Sequence, residues 1–282
     1  MNPVSALIVT IRNLVLVLMV FPCLSMFSAL TIRARNVQDE RSTTLTARQR
    51  EIDKQQQRLN STETEERRDA VMRLGSLHHA DASRAALPAL TDPAPIVRAT
   101  AAKAILSLPP HESVSALINL LIDKEVFVRE EAAYALGKTR SREAVGPLEE
   151  RLMSDKDDGV RAAAAVALGE IGDEVAVPVL IQVIAGQAAP IEGKPQGKTK
   201  REKNEFVLRA AAEGLGRIRS RAAVPALLLL LTDEKLASDI RREAAHSLGL
   251  IGDPAAAPTL QKAATDNDPY LSRAAIEALR RL

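Results

Sequence analysis

The chain has 282 residues and a net charge of +2; 46% of its residues are hydrophobic, 2% are aromatic, and tryptophan is absent. A charge this close to neutral gives no electrostatic case for nucleic acid, and a single cysteine, Cys23, excludes an internal disulfide framework and a multi-cysteine metal site. The core must be built from Ala, Leu, Val and Ile, which suits close helix stacking better than a ligand cavity.

Residues 14–32 form a run without a charge, preceded by Arg12 and followed by Arg33 and Arg35. The length is that of a marginal membrane span, and the pattern is also that of a secretory signal, with residues 14–21 as its apolar part. Ser25 and Cys23 offer small residues for a cut. Residues 1–32 are therefore expected to be a signal peptide or membrane anchor, with the chain exported (periplasmic or secreted) or anchored. Arg33, Arg35 and Arg41 would hold the remainder inside the cell if the span stays uncleaved, whereas cleavage releases it outside.

Residues 33–61 are polar and read as a solvated linker or frayed helix. Leu45, Ile52 and Leu59 recur every seventh position, but one apolar residue per heptad does not make a coiled coil. Thr62 followed by Glu65 forms a capping-box pattern and predicts the start of an ordered array over 62–282.

The array repeats. Equivalent positions fall at Gly75, Leu106, Gly137, Gly169, Gly216, Gly249 and Arg280, with steps of 31, 31, 32, 47, 33 and 31. One step contains an insertion; the others hold a period typical of stacked helical repeats. One residue before this column stand Leu74, Ile105, Leu136, Leu168, Leu215, Leu248 and Leu279, and nine before it stand Glu66, Val97, Val128, Val160, Val207, Ile240 and Leu271. Alanines crowd the positions four and five before it. These offsets share one helical face, which predicts a first helix in each unit. The position three before it mixes Met72, Lys103, Tyr134, Val166, Glu213, His246 and Glu277, and should face outward. Further on, Pro178, Pro225 and Pro258 open a second helix whose apolar column is Leu90, Leu117, Leu148, Leu180, Leu227 and Leu260. Gly169, Gly172 and Asp173 are read as the turn between helices. Neither helix can bury its stripe alone, so the units must stack.

The pattern VRxxAAxALGxIGDxxAVPxL resembles HEAT-like repeats of the short class found in phycobilisome bilin lyase subunits and bacterial scaffold proteins. The resemblance covers about three quarters of the chain. It implies an all-α fold: a right-handed α-solenoid of about six and a half helix–turn–helix repeats, with the second helices lining the binding surface. It also implies an Asp–Arg ladder. Asp92, Asp123 and Asp155 each precede an arginine (Arg98, Arg129, Arg161) by six residues. Regular recurrence points to a structural bond, the Asp capping a turn or helix and the Arg tying units together. The fifth and sixth units depart, with Leu208 in place of the arginine and Asp233 displaced to eight residues before Arg241.

His78, His79, His111 and His246 lack further ligands at metal spacing and read as surface residues. The insertion, residues 185–205, is rich in Gly, Pro, Gln and Lys and is expected to be a mobile loop. Its Lys198, Lys200, Arg201 and Lys203 could serve an acidic partner. Leu229 takes a position where other units carry Asn119, Glu150, Gln182 and Lys262, so Leu229 and Gln182 are further candidate contacts. The last unit has one helix ending in Arg280 and Arg281, as expected of a cap.

No nucleophile–base pair, phosphate-binding glycine loop or metal cluster emerges. The expectation is a non-enzymatic protein–protein interaction scaffold or adaptor: no enzyme activity, no cofactor, no metal, no small-molecule substrate and no nucleic acid. Its partners are another protein and, through an uncleaved N-terminus, the membrane. The alternative is a bilin lyase-like protein that handles a tetrapyrrole.

Overall fold

The computed structural model describes residues 47–188 and 198–282. The signal or anchor expected at residues 1–32 lies outside the described residues. Among the described residues no helix is long and apolar enough to cross a membrane. The chain divides into two compact units, Met1–Lys54 and Gln55–Leu282. Residues 47–58 are helical (α1).

From residue 64 onward the described chain is all α. The first helices of the units are α2 (Thr64–Ser76), α4 (Pro95–Ala104), α6 (Val126–Thr139), α8 (Asp158–Ile171), α10 (Lys198–Ile218), α12 (Ser238–Ile251) and α14 (Pro269–Leu279). The second helices are α3 (Ala80–Ala86), α5 (Pro110–Leu117), α7 (Val145–Ser154), α9 (Val177–Ala188), α11 (Val224–Thr232) and α13 (Ala257–Ala263). First helices pack side by side, α2 on α4 and so on to α12 on α14; the second helices α5, α7, α9, α11 and α13 pack chiefly on the first helix of the next unit, while α3 packs chiefly on its own α2. Leu74, Ile105, Leu136, Leu168, Leu215 and Leu248 are all fully buried, as are Val97, Val128, Val160 and the paired alanines. Each buried Leu or Val contributes about 1.5–3 kcal/mol, whereas buried ion pairs come close to breaking even. The apolar columns therefore carry the stability and the ion pairs set the register.

Two local expectations are corrected. The first array helix starts at Thr64 with Glu63 as its N-cap and no side-chain cap bond, so Thr62 and Glu65 form no capping box. Ser61 takes that place: its Oγ accepts from the Glu63 N–H and donates to Glu66. Gly169 is not a turn residue either. It lies inside α8, where an added Cβ would sit 2.5 Å from Gly214 Cα. Gly75, Gly137 and Gly249 likewise lie 3.0, 2.8 and 2.7 Å, measured from a built Cβ, from the Cα of Ala104, Ala167 and Ala278 on the next first helix. The column is glycine because adjacent backbones touch there. The turn comes three residues later, where the backbone is left-handed at His78, Arg140, Gly172, Arg219 and Gly252.

The ladder joins neighbouring units. Arg67, Arg98 and Arg129 donate through Nε and Nη2 to Asp92, Asp123 and Asp155 of the following unit, at 2.7–3.0 Å. Each of these aspartates also accepts the backbone N–H two residues on, which fixes the turn before the next first helix. The six-residue spacing reflects a third contact: Nη1 of Arg98 and Arg129 donates to the main-chain oxygens of Asp92 and Asp123. Burial alone would raise these carboxyls. The guanidinium hydrogen bond, the backbone N–H and the guanidinium charge together outweigh it, and all three sit below the usual carboxylate range. The ladder breaks at the insertion. Arg161 turns to Leu152 O and Asp158, and the ladder resumes at Arg241–Asp266.

Candidate interaction face

The insertion residues 189–197 lie outside the described residues. Lys198, Lys200, Arg201 and Lys203 fall in the first turns of α10, so the helix of the fifth unit starts before its apolar face begins. Gln182 on α9 and Leu229 on α11 occupy equivalent positions in successive units, and both are exposed, Leu229 at 59%. They belong to the second-helix layer. Leu227, Leu230 and Leu231 on the same helix are buried.

The other layer carries a feature that the sequence reading missed. Among the described residues the aromatic side chains are Phe127, Tyr134, Phe206 and Tyr270, and they are 38%, 41%, 46% and 67% exposed. All four lie on first helices, at the positions ten or three before the glycine column. Seven residues separate those positions, so they fall on one helical face two turns apart. Ile96 and Met72 fill the same positions in the first two units and are also exposed. The signal was present in the sequence. The outward column three before the glycine already held Met72 and Tyr134, and the column ten before it (Ile96, Phe127, Phe206, Tyr270) had only to be aligned.

Charged groups surround the aromatics. The Arg209 guanidinium lies 5.6 Å from the Phe206 ring centre, and Arg242 of α12 lies 5.5 Å from the Tyr270 ring of α14. These cation–π contacts hold the rings in place without covering them. The middle of the face is acidic. Burial, then the charges of Glu130, Glu131 and Glu213, push the Tyr134 phenol up. Burial, then Asp157 and Glu131, raise Glu130, while burial and then Glu213 raise Glu243. Gly159 takes the aromatic position on α8, where any Cβ would collide with the Glu130 carboxylate. The glycine lets that carboxylate lie across α8.

Among the described residues no group of three His, Cys, Asp or Glu is placed to hold a metal ion. His79 caps α3 by accepting the Asp81 N–H, and His111 Nδ1 lies 2.8 Å from Glu143.

Comparison with known proteins agrees with the architecture. The sequence matches HEAT repeats over residues 52–136, 116–191 and 199–280. Such repeats suggest interaction with another protein. The phycocyanobilin lyase subunit alpha of Synechococcus elongatus is 45% identical over 71 residues, which are 24% of this chain and 26% of that protein. The chain thus spans about a quarter of the curated relative it matches. Among solved structures, the CpcE–CpcF complex of phycocyanin lyase from Nostoc sp. PCC7120 is 26% identical, covering 70% of this chain and 86% of that one with a TM-score of 0.38. Human deoxyhypusine hydroxylase is 22% identical, covering 82% and 83%, with a TM-score of 0.40. The expectation that the chain is not an enzyme is overturned by the curated relative, which is a subunit of a lyase. Its repeats, their period and the residues they bury place this chain in the HEAT-repeat family.

Proposed function

We propose that this chain binds a partner protein across the exposed face of its first helices, with Phe127, Tyr134, Phe206 and Tyr270 as anchors. One observation carries the reading: every described aromatic side chain stands on that face and none is in the core. Phe127 and Phe206 are 38% and 46% exposed, so covering what remains is worth roughly half the 1.5–3 kcal/mol of a fully buried Phe, and aromatic residues are among the side chains enriched at protein interfaces. The test is co-purification from the native host with wild type, with Phe127→Ser/Phe206→Ser, and with Leu229→Ser. Loss of the partner in the first variant only supports the face; loss in the Leu229 variant only moves the site to the second helices.

A second reading, lyase-like handling of a tetrapyrrole, is favoured by the 45% identity to a phycocyanobilin lyase subunit. The two are compatible, since moving a pigment onto or off a protein requires that the protein be held. Co-expression with a bilin and a phycobiliprotein acceptor tests it. Visible absorbance on the acceptor that survives denaturation supports lyase-type action, and an uncoloured acceptor counts against it. Export or membrane anchoring through residues 1–32 remains part of the proposal. Cell fractionation with N-terminal sequencing checks it.

A further inference from the structure

On the first-helix face, α8 recedes between its neighbours. Gly159, Ala162, Ala163 and Val166 hold the positions that α6 fills with Phe127, Glu130, Glu131 and Tyr134. Ala163 is nevertheless fully buried, so longer side chains of the flanking helices lean over it. The Glu130 carboxylate reaches Gly159 of α8, and the charge of Glu213 on α10 reaches the Tyr134 phenol on α6.

The charges on this part of the face do not cancel. Glu131 meets the Lys103 ammonium at 2.8 Å, although that oxygen has no aligned hydrogen bond, and Glu213 meets Arg217 at 2.7 Å. Glu130 has no ion pair among the described residues. The charges acting on it are Asp157, Glu131 and Arg129, and Arg129 is committed to Asp155. The N–H groups of Gly159 and Val160 at the start of α8 are already taken by Asp157. Glu243 on α12 also has no ion pair among the described residues. It meets the Ser247 hydroxyl at 3.4 Å, with His246 and Arg209 acting on it from further off. The arginines beside these carboxylates are engaged. Arg209 lies on the Phe206 ring and 3.9 Å from Asp239, and Arg242 lies on the Tyr270 ring and donates to Ser238 O. Burial foremost raises both Glu130 and Glu243, so at neutral pH they are held charged at a cost to the fold.

We propose that this face docks a basic amphipathic helix of the partner protein, its apolar side on Phe127, Tyr134 and Phe206 and its lysines or arginines on Glu130 and Glu243. A cation at Glu130 also meets the Tyr134 ring, four residues on along the same helix face. Complementary charge selects among partners that the aromatics alone would accept. From α6 to α12 there are three helix spacings, roughly 24–30 Å, which a helix of about 18 residues crosses. The inference rests on the reading that the first-helix face is the binding surface, and adds the charge of what binds there.

The test is fluorescence anisotropy of the intact protein with a labelled helical peptide of leucine and lysine, about 18 residues long, and with its leucine–glutamate counterpart. The lysine peptide should bind saturably at one per chain and the glutamate peptide should not. Glu130→Gln/Glu243→Gln should weaken the lysine peptide about tenfold, the effect of losing two surface ion pairs. Since both carboxyls are raised, the amides favour the fold at neutral pH, and lost binding is not lost structure. Glu150→Gln/Glu174→Gln removes the same charge from α7 and from the turn after α8 and should leave binding unchanged. Equal binding of the two peptides, wild-type affinity in Glu130→Gln/Glu243→Gln, or an equal loss in both double variants would overturn the proposal. Co-purification of the host partner separates it from the reading beneath it. A partner retained by Glu130→Gln/Glu243→Gln but lost from Phe127→Ser/Phe206→Ser keeps the face and sinks its choice of a basic segment. A partner lost only from Leu229→Ser removes the face itself.

Discussion

Replacing Gly169 by alanine separates backbone contact from helix propensity. In an open helix, Gly→Ala gains about 1 kcal/mol. At Gly169 the new Cβ would sit 2.5 Å from Gly214 Cα and 3.1 Å from Gly214 O, where ordinary contact is at least 3.4 Å. Both obstacles are backbone, so no side chain can rotate away and α8 and α10 must separate by close to an ångström. Overpacking of that kind costs about 1–3 kcal/mol; with backbone on both sides the upper part of that range applies, which leaves Gly169→Ala net destabilised by up to about 2 kcal/mol. Gly186 supplies the control. It lies in α9 with nothing within 4 Å of its added Cβ, so Gly186→Ala should gain up to about 1 kcal/mol. Urea unfolding followed by far-ultraviolet circular dichroism reads both. If Gly169→Ala is as stable as wild type or more so, the close approach of α8 and α10 is not what selects glycine, and the argument for the whole column fails.

Asp123→Asn should cost about 3 kcal/mol, because it leaves the Arg98 guanidinium, only 9% exposed, without its counter-charge; a change under 1 kcal/mol in urea unfolding would show the ladder to be dispensable. Asp92, Asp123 and Asp155 are depressed in the folded chain, so their contribution is present above the unfolded value of about 3.9 and is lost as pH falls through their lower folded values. Urea midpoints should accordingly drop below about pH 4, and a flat profile would contradict the assignment. Glu243 is raised, so its sign is opposite: it favours the fold at acid pH and opposes it as pH rises. Glu243→Gln should stabilise at neutral pH, with the gain vanishing in acid, and thermal melts at the two pH values decide. Arg140 holds a left-handed backbone at φ 51° that its equivalents Gly172 and Gly252 fill without strain. Arg140→Gly should raise stability by about 1 kcal/mol, and a loss would mean that the arginine side chain contributes more than its backbone costs.

The period, the two-helix unit and the buried columns were legible because a repeat shows each constraint several times. Leu168 alone is one leucine; Leu136, Leu168, Leu215 and Leu248 in register are a buried seam. The role of Gly169 was not legible for a physical reason. A helix-packing glycine and a turn glycine sit three residues apart, and Gly169 and Gly172 are both glycine. Only units that keep one and lose the other tell them apart. Gly137 with Arg140 and Gly216 with Arg219 do so, since arginine there takes the left-handed turn while glycine stays in the packed column. The ladder was legible as columns but not as pairs. The Asp–Arg spacing of six is real, yet the carboxylate contact spans 25 or 26 residues, between units. The aromatic face escaped because few residues carry it. Basic residues and an odd leucine drew attention to Lys198, Lys200, Arg201, Lys203, Gln182 and Leu229, whereas burial was needed to see that the aromatics among the described residues all stand outside the core.

The claim that the first-helix face is the binding surface is tested most directly by site-specific photocrosslinking. A photoreactive phenylalanine placed at Phe127 or Tyr270 should capture a protein adduct in the native host, and the same residue at Leu229 should not. Adducts from Leu229 with none from Phe127 and Tyr270 would place the partner on the second helices and contradict the account.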